Sequence, residues 1–300
     1  MNWANTAILA AAILAVVNIL DSYLITKRFP SLRAFLLPVG IVALIYGSAI
    51  FIFVPLPENV DLEPIIFALI SSVVRVVGIM MFLYAMQTEE VSRIMPVVNI
   101  NPVFVALLAV LFLGETLETL EWLAIVITVC GAVLISMKQV DGSHRLSFNG
   151  LMALPFVSAL CMATGNLASK YALEDISFWN MYAISALVLG IVTVFISLRP
   201  RVLAELRSVH RPVCTMWLLV LNETLAPIAI ILLFWSIERG PVSLVSTIAG
   251  TQPVFIFIYA LILSRVSSML LEQRMEGKTL ILKLISIAMI VGGITIIQLT

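Results

Sequence analysis

The sequence predicts an all-α integral membrane protein, with ten transmembrane helices arranged as two inverted five-helix repeats. Three observations predict it. Of the 300 residues, 62% are hydrophobic and 11% charged, with a mean hydropathy of +1.14. Ordinary soluble domains carry about 25% charged residues. Apolar runs near 20 residues alternate with short polar breaks, the pattern of membrane helices. Barrel strands would instead alternate over about 10 residues. Finally, a stretch of the first half recurs in the second.

The spans fall at residues 5–26, 32–53, 64–86, 91–113, 120–137, 148–171, 177–198, 213–237, 242–264 and 279–299. The first, "WANTAILAAAILAVVNIL", lacks the basic leader of a cleaved signal peptide and reads as an uncleaved span. Pro30, Pro55, Pro57, Pro64, Pro200 and Pro212 mark several breaks. The longest polar connection, about 15 residues, leaves no room for a soluble domain between spans.

Basic residues set the expected orientation. The connections after spans 1, 3, 5, 7 and 9 hold fourteen Lys and Arg, among them Lys27, Arg28, Arg93, Lys138, Arg145, Arg211 and Arg274. The other connections hold two, Lys170 and Arg239. This bias places both termini on the outer side of the cell membrane. Trp3, Trp122, Trp179 and Trp235 then form an aromatic belt at that face. The net charge of zero leaves no nucleic-acid footprint. Three scattered cysteines and two histidines make neither a disulfide framework nor a metal site, and no cofactor motif occurs.

The repeat appears when Tyr84 is aligned with Trp235. "YAMQTEEVSRIMPVVNINPVFV" lies over "WSIERGPVSLVSTIAGTQPVFI" without a gap, and Val91, Ser92, Pro102, Val103 and Phe104 meet identical residues. A shorter echo pairs "NILDSY" with "NLASKY". The first repeat is expected over 1–140 and the second over 146–300. Five spans is an odd number, so the second half enters the membrane from the opposite side, as in many secondary transporters.

The patterns "EVSRIMPVVNINPVFVALLAVLFLGETLE", "FWSIERGPVSLVSTIAGTQPVFIFIYALIL" and "ATGNLASKYAL" resemble EamA-type members of the drug/metabolite transporter superfamily. The resemblance covers essentially the whole chain. It implies export of amino acids, other small metabolites or drugs, coupled to protons in many members. It also implies both termini inside, opposite to the charge count. The second half lacks a counterpart of Gly114-Glu115.

Polar residues inside the spans mark a candidate cavity. Arg75 lies near the centre of span 3 and reads as an anion-binding or gating residue, or as a structural arginine. Glu223 sits at similar depth in span 8, the symmetry mate of span 3. The two are expected to approach each other or to share a water network, with Glu223 as the proton-coupling candidate. Asn18, Asn99, Asn101, Asn166 and Gln252 supply amides that hold carboxylates and ammonium groups alike, or serve as interhelical glue. Pro102 and Pro253 mark helix kinks, and Tyr84 and Trp235 are candidate stacking surfaces. Asp21 reads as interfacial, or as a group that could neutralise a cation, Lys170 as snorkelling outward, and Glu115 as part of a solvated loop.

The expected function is secondary active transport, with export, of small organic metabolites such as amino acids, by alternating access around a midplane cavity. A multidrug or lipophilic-cation exporter is the alternative. An intramembrane lipid-modifying enzyme would need clustered carboxylates or histidines. The expected partners are a small-molecule solute and the lipid bilayer, with monomer and homodimer both open.

Overall fold

Helices occupy all ten expected segments. The computed structural model describes residues 2–57, 60–88, 91–136, 153–209, 211–266 and 277–299, and no strand occurs among them. In chain order the helices are α1 Trp3–Tyr23, α2 Leu32–Phe53, α3 Leu62–Thr88, α4 Val91–Val98, α5 Asn101–Leu108, α6 Thr119–Ser136 and α7 Ala153–Ala172. There follow α8 Phe178–Ser197, α9 Pro200–Arg207, α10 Pro212–Arg239, α11 Val242–Ala249, α12 Gln252–Val266 and α13 Gly277–Leu299. Short π-helical turns extend α1 over Leu24–Arg28 and α5 over Ala109–Leu113. Lys138, His144, Arg145, His210 and Arg274 lie outside the described residues.

Among the described residues, nine helical segments are long and apolar enough to cross a membrane. The remaining expected span, the sixth in chain order, is α7, 20 residues long. Thr164, Asn166, Ser169 and Lys170 make it more polar than the rest. Ile45, Ile52, Leu111, Ile191 and Phe195 stay exposed on the outside of the bundle. Such a surface suits lipid and would be a liability in water.

The dominant interfaces are α3 on α7, α1 on α10, α2 on α8 and α6 on α13. Lipid tails are as apolar as leucine, so close packing rather than exclusion of water holds such helices together. Small residues allow it. A Cβ on Gly190 of α8 would lie 2.6 Å from Leu44 Cγ on α2, and one on Gly131 of α6 would lie 2.7 Å from Ile290 Cγ1 on α13.

One end of the bundle gathers the N-terminus, the C-terminal end of α13 and the α2–α3, α6-preceding, α7–α8 and α10–α11 connections. Gln298 Nε2 donates to Asn5 Oδ1 (3.2 Å), and Asn180 Nδ2 donates to the Val54 carbonyl (2.8 Å). This end is called the terminal face below. The largest buried cluster lies beneath it, around Val105, Ala163, Phe234, Val245 and Ile248.

Candidate functional site

Two helices are interrupted inside the bundle, at corresponding places. α4 stops at Val98 and α5 starts at Asn101; α11 stops at Ala249 and α12 starts at Gln252. The bonds at the breaks correspond too. Asn99 N–H donates to Met95 O (3.0 Å), Ile100 to Val97 (3.3 Å) and Val103 to Ile100 (2.9 Å). In the second half Gly250 donates to Ser246 (3.0 Å), Thr251 to Ile248 (3.0 Å) and Val254 to Thr251 (2.9 Å).

Proline causes both breaks. Pro102 and Pro253 are the second residues of α5 and α12. A proline has no N–H for the carbonyl four residues back, and it disfavours helix in the residue before it. It is tolerated in the first turn of a new helix. The breaks touch: a Cβ on Gly250 would lie 3.1 Å from Pro102 Cγ.

The amides around the breaks are engaged. Asn18 Nδ2 donates to Gln252 Oε1 at 2.8 Å, joining α1 to the start of α12. Asn101 Nδ2 donates to the Ala159 carbonyl of α7 (2.8 Å). Asn99 Nδ2 donates to Ser136 Oγ (2.8 Å) and the Ala132 carbonyl (3.1 Å) of α6.

Arg75 belongs to a second group. Its Nη2 donates to Asn166 Oδ1 (3.0 Å), and Asn166 Nδ2 donates to Ser246 Oγ (3.2 Å). The guanidinium lies 5.3 Å from the centroid of the Phe234 ring. Its buried Nε has no partner among the described residues. The expected approach of Arg75 to Glu223 is therefore corrected. Arg75 meets α10 at Phe234, eleven residues from Glu223, a separation of about 16 Å along a helix. α3 packs on α7 and α8 rather than on α10.

Glu223 belongs to a third group. Asn222 Nδ2 donates to Asp21 Oδ1 (2.7 Å) and to Glu223 Oε1 (3.2 Å). Next to them, Tyr46 and Thr224 hydroxyls share a 3.2 Å bond. Asp21 is thus no simple interfacial residue, because packing of α1 on α10 turns it toward Asn222. One sequence signal pointed this way: Asp21 follows Asn18 by three residues, on the same helix face.

Tyr84 and Trp235 are placed apart from these groups. Tyr84 is 58% exposed near the end of α3. Trp235 lies under the Arg239 guanidinium, 4.3 Å from its centroid, in the last turns of α10.

The terminal face carries two charged contacts that sequence reasoning missed. Lys170 Nζ does not simply snorkel; it donates to the carbonyls of Ile237 (2.7 Å), Gly240 (3.0 Å) and Glu238 (3.3 Å). Those carbonyls end α10 and have no intrahelical partners. Glu115 is not a solvated loop residue. Its carboxylate accepts from the Val242 N–H (2.6 Å), the Ser243 N–H (3.4 Å) and Ser243 Oγ (2.5 Å), at the start of α11. A carboxylate is favourable there because the first N–H groups of a helix are unpaired and carry positive partial charge. Lys170 and Glu115 thus grip the α10–α11 corner from both sides, with Trp3 packed against Gly240.

Residues 1–137 match the model of the EamA-like transporter family. A protein of known crystal structure superposes on this chain with a TM-score of 0.70 at 18% identity, covering 99% of this chain and 95% of its own. At that identity the likeness is one of fold. An uncharacterized protein of Methanocaldococcus jannaschii is 32% identical over 79 residues, 26% of this chain. The chain spans 58% of that relative's length.

Proposed function

We propose, from the match of residues 1–137 to the EamA-like transporter family, part of the drug/metabolite transporter superfamily, that this chain is a secondary active transporter, acting as an exporter, of small organic metabolites such as amino acids. It is a multi-pass membrane protein. In this reading α7 also crosses the membrane and brings the spans to ten, residues 1–140 and 146–300 are inverted repeats, and the solute binds between them at the duplicated breaks.

The observation that carries the reading is the duplicated break. α4, α5, α11 and α12 start or stop at positions that correspond at one offset, 151 residues, with the same three backbone bonds. Interrupted helices at membrane depth are tolerated where backbone is buried in protein or lines a cavity. Exchanging the halves also turns the α3–α7 interface into α10–α1 and leaves α2–α8 and α6–α13 unchanged. Alternating access needs such a pseudo-two-fold pair.

Arg75, held by an amide rather than a carboxylate, retains charge for a solute carboxylate. Glu223 is the candidate for proton coupling. The paired carboxylates Asp21 and Glu223 favour a lipophilic cation as the second reading. The terminal face, closed by Lys170 and Glu115, would be one gate. The excess of Lys and Arg in the odd connections supports a cell-membrane orientation with that face outside. A reporter fused after Thr300 tests this, and a cytoplasmic reporter signal would reverse it.

The functional test is flux in proteoliposomes against a panel of amino acids and lipophilic cations, with and without a pH gradient. Saturable flux of at least one solute is expected. No flux of any panel member contradicts the reading.

A further inference from the structure

The geometry points to a binding site for an organic ammonium group formed by Asp21, Asn222 and Glu223, with α1 and α10 supplying its two walls. This deepens the transporter reading and rests on it for the source of the solute.

Three features of the site carry the inference. First, one amide serves two carboxylates: Asn222 Nδ2 reaches Asp21 Oδ1 at 2.7 Å and Glu223 Oε1 at 3.2 Å. An amide hydrogen offers only partial positive charge to each. Second, no Lys or Arg stands in ion-pair range of either carboxylate among the described residues. Arg75 is engaged at Asn166 and Phe234, Lys170 at the end of α10, and Arg28 at the Tyr23 hydroxyl (3.0 Å). Lys27 is exposed. The other titratable groups near Glu223 are Tyr182, of α8, and Tyr46, bonded to Thr224.

The third feature is an orphan acceptor. Asn222 is 1% exposed, and its Oδ1 has no partner among the described residues. A buried amide oxygen without a donor is costly. The planar amide fixes that oxygen beside the nitrogen that bridges the carboxylates. The site therefore presents two carboxylates and one neutral amide oxygen, and its one amide donor, Asn222 Nδ2, is already shared between the carboxylates. An ammonium group brings three N–H donors and a positive charge, enough to reach Asn222 Oδ1 and an oxygen of each carboxylate.

The assignment extends to a further residue, Asp21. It also separates the amine end of a solute, at α1 and α10, from the Arg75 end, at α3 and α7. Asn18, three residues before Asp21 on α1, bonds Gln252 at the start of α12, so the amine would lie about one helical turn from the α12 break.

Two measurements test it. In proteoliposomes, three probes sharing one apolar portion are compared: phenylalanine, phenethylamine and 3-phenylpropionate. Asp21→Asn and Glu223→Gln are expected to reduce flux of the two amine-bearing probes about 10-fold or more, as loss of a charge-assisted bond implies. The ratio of 3-phenylpropionate flux to amine flux should rise in both variants, and Asp21→Glu should restore most of the amine flux. Equal flux of the amine-bearing probes in wild type and both variants overturns the site. The second measurement needs no flux and no variant. Dicyclohexylcarbodiimide, which modifies protonated carboxyls in apolar surroundings, is applied to the purified wild-type protein, with mass spectrometry as the readout. Modification of Asp21 or Glu223, slowed by phenethylamine and not by 3-phenylpropionate, is expected. Absent modification, or modification indifferent to phenethylamine, overturns the site. Protection without flux of any probe would instead sink the transport reading and leave the ammonium site standing.

Discussion

Lys170→Met should open the terminal face. In the closed arrangement the Lys170 ammonium satisfies three carbonyls at the end of α10, at 2.7, 3.0 and 3.3 Å. A hydrogen bond to a charged group contributes about 1.5–3 kcal/mol. The three share one ammonium that is only half-buried, so their joint contribution is taken as about 2 kcal/mol. Methionine keeps the length and apolar stem but offers no donor. If the terminal face opens during transport, the α10–α11 corner moves away from Lys170, and the closed state alone loses this energy. About 2 kcal/mol then shifts the closed-to-open ratio roughly 30-fold. The assay follows Thr247, which is fully buried on α11, one turn below Ser243. Thr247→Cys is placed in a background with Cys130, Cys161 and Cys214 replaced by serine. Its rate of modification by a membrane-impermeant maleimide, added from the terminal side, should rise at least several-fold with Lys170→Met. An unchanged rate would refute the gate, even if thermal stability fell, since a merely structural contact predicts lower stability alone.

Other predictions concern the same framework. Glu115→Ala removes the acceptor for two backbone N–H groups and Ser243 Oγ; it should cost about 1–2 kcal/mol of thermal stability, as for other helix caps, with Glu115→Gln intermediate. A Cβ on Gly190 would meet Leu44 at 2.6 Å, so Gly190→Leu should destabilise the protein by about 1–3 kcal/mol or more, read as a lower melting temperature in detergent. Asn18→Leu and Gln252→Leu share one 2.8 Å bond; a double-mutant cycle on melting should show a coupling near 0.6 kcal/mol, the average for interhelical bonds in membranes, and strict additivity would deny the bond. Glu223→Gln cannot exchange a proton, so flux should lose its dependence on a pH gradient; retention of that dependence would remove Glu223 from coupling.

Some of this was legible in the sequence, for definite physical reasons. Helix positions follow from apolar length. The breaks follow from Pro102 and Pro253, since a missing N–H acts locally and needs no tertiary information. Repetition of "PVF" pointed to the same break in both halves. What was not legible depends on helix rotation and on long-range packing. Depth counted along the sequence placed Arg75 and Glu223 near one level, but the Arg75 guanidinium reaches Phe234, eleven residues along α10 from Glu223. Arg75 turns to Asn166 and Phe234, while Glu223 turns to α1. Asp21 and Asn222 meet only because α1 packs on α10. Lys170 and Glu115 looked like outer-loop charges, because carbonyls and N–H groups at helix ends leave no mark in a sequence. Of the polar residues of α7, Asn166 and Lys170 make these contacts, while Thr164 and Ser169 bond carbonyls of α7 itself.

The central claim is that the duplicated breaks serve alternating access, and counterflow tests it most directly. Proteoliposomes are loaded with a high concentration of unlabelled solute, chosen from the flux panel, and labelled solute is added outside at low concentration. The account predicts a transient uphill accumulation of label that decays as the internal pool empties, and its loss when Pro102 and Pro253 are both replaced by leucine. Simple equilibration of label, with no overshoot for any solute that crosses, would contradict it.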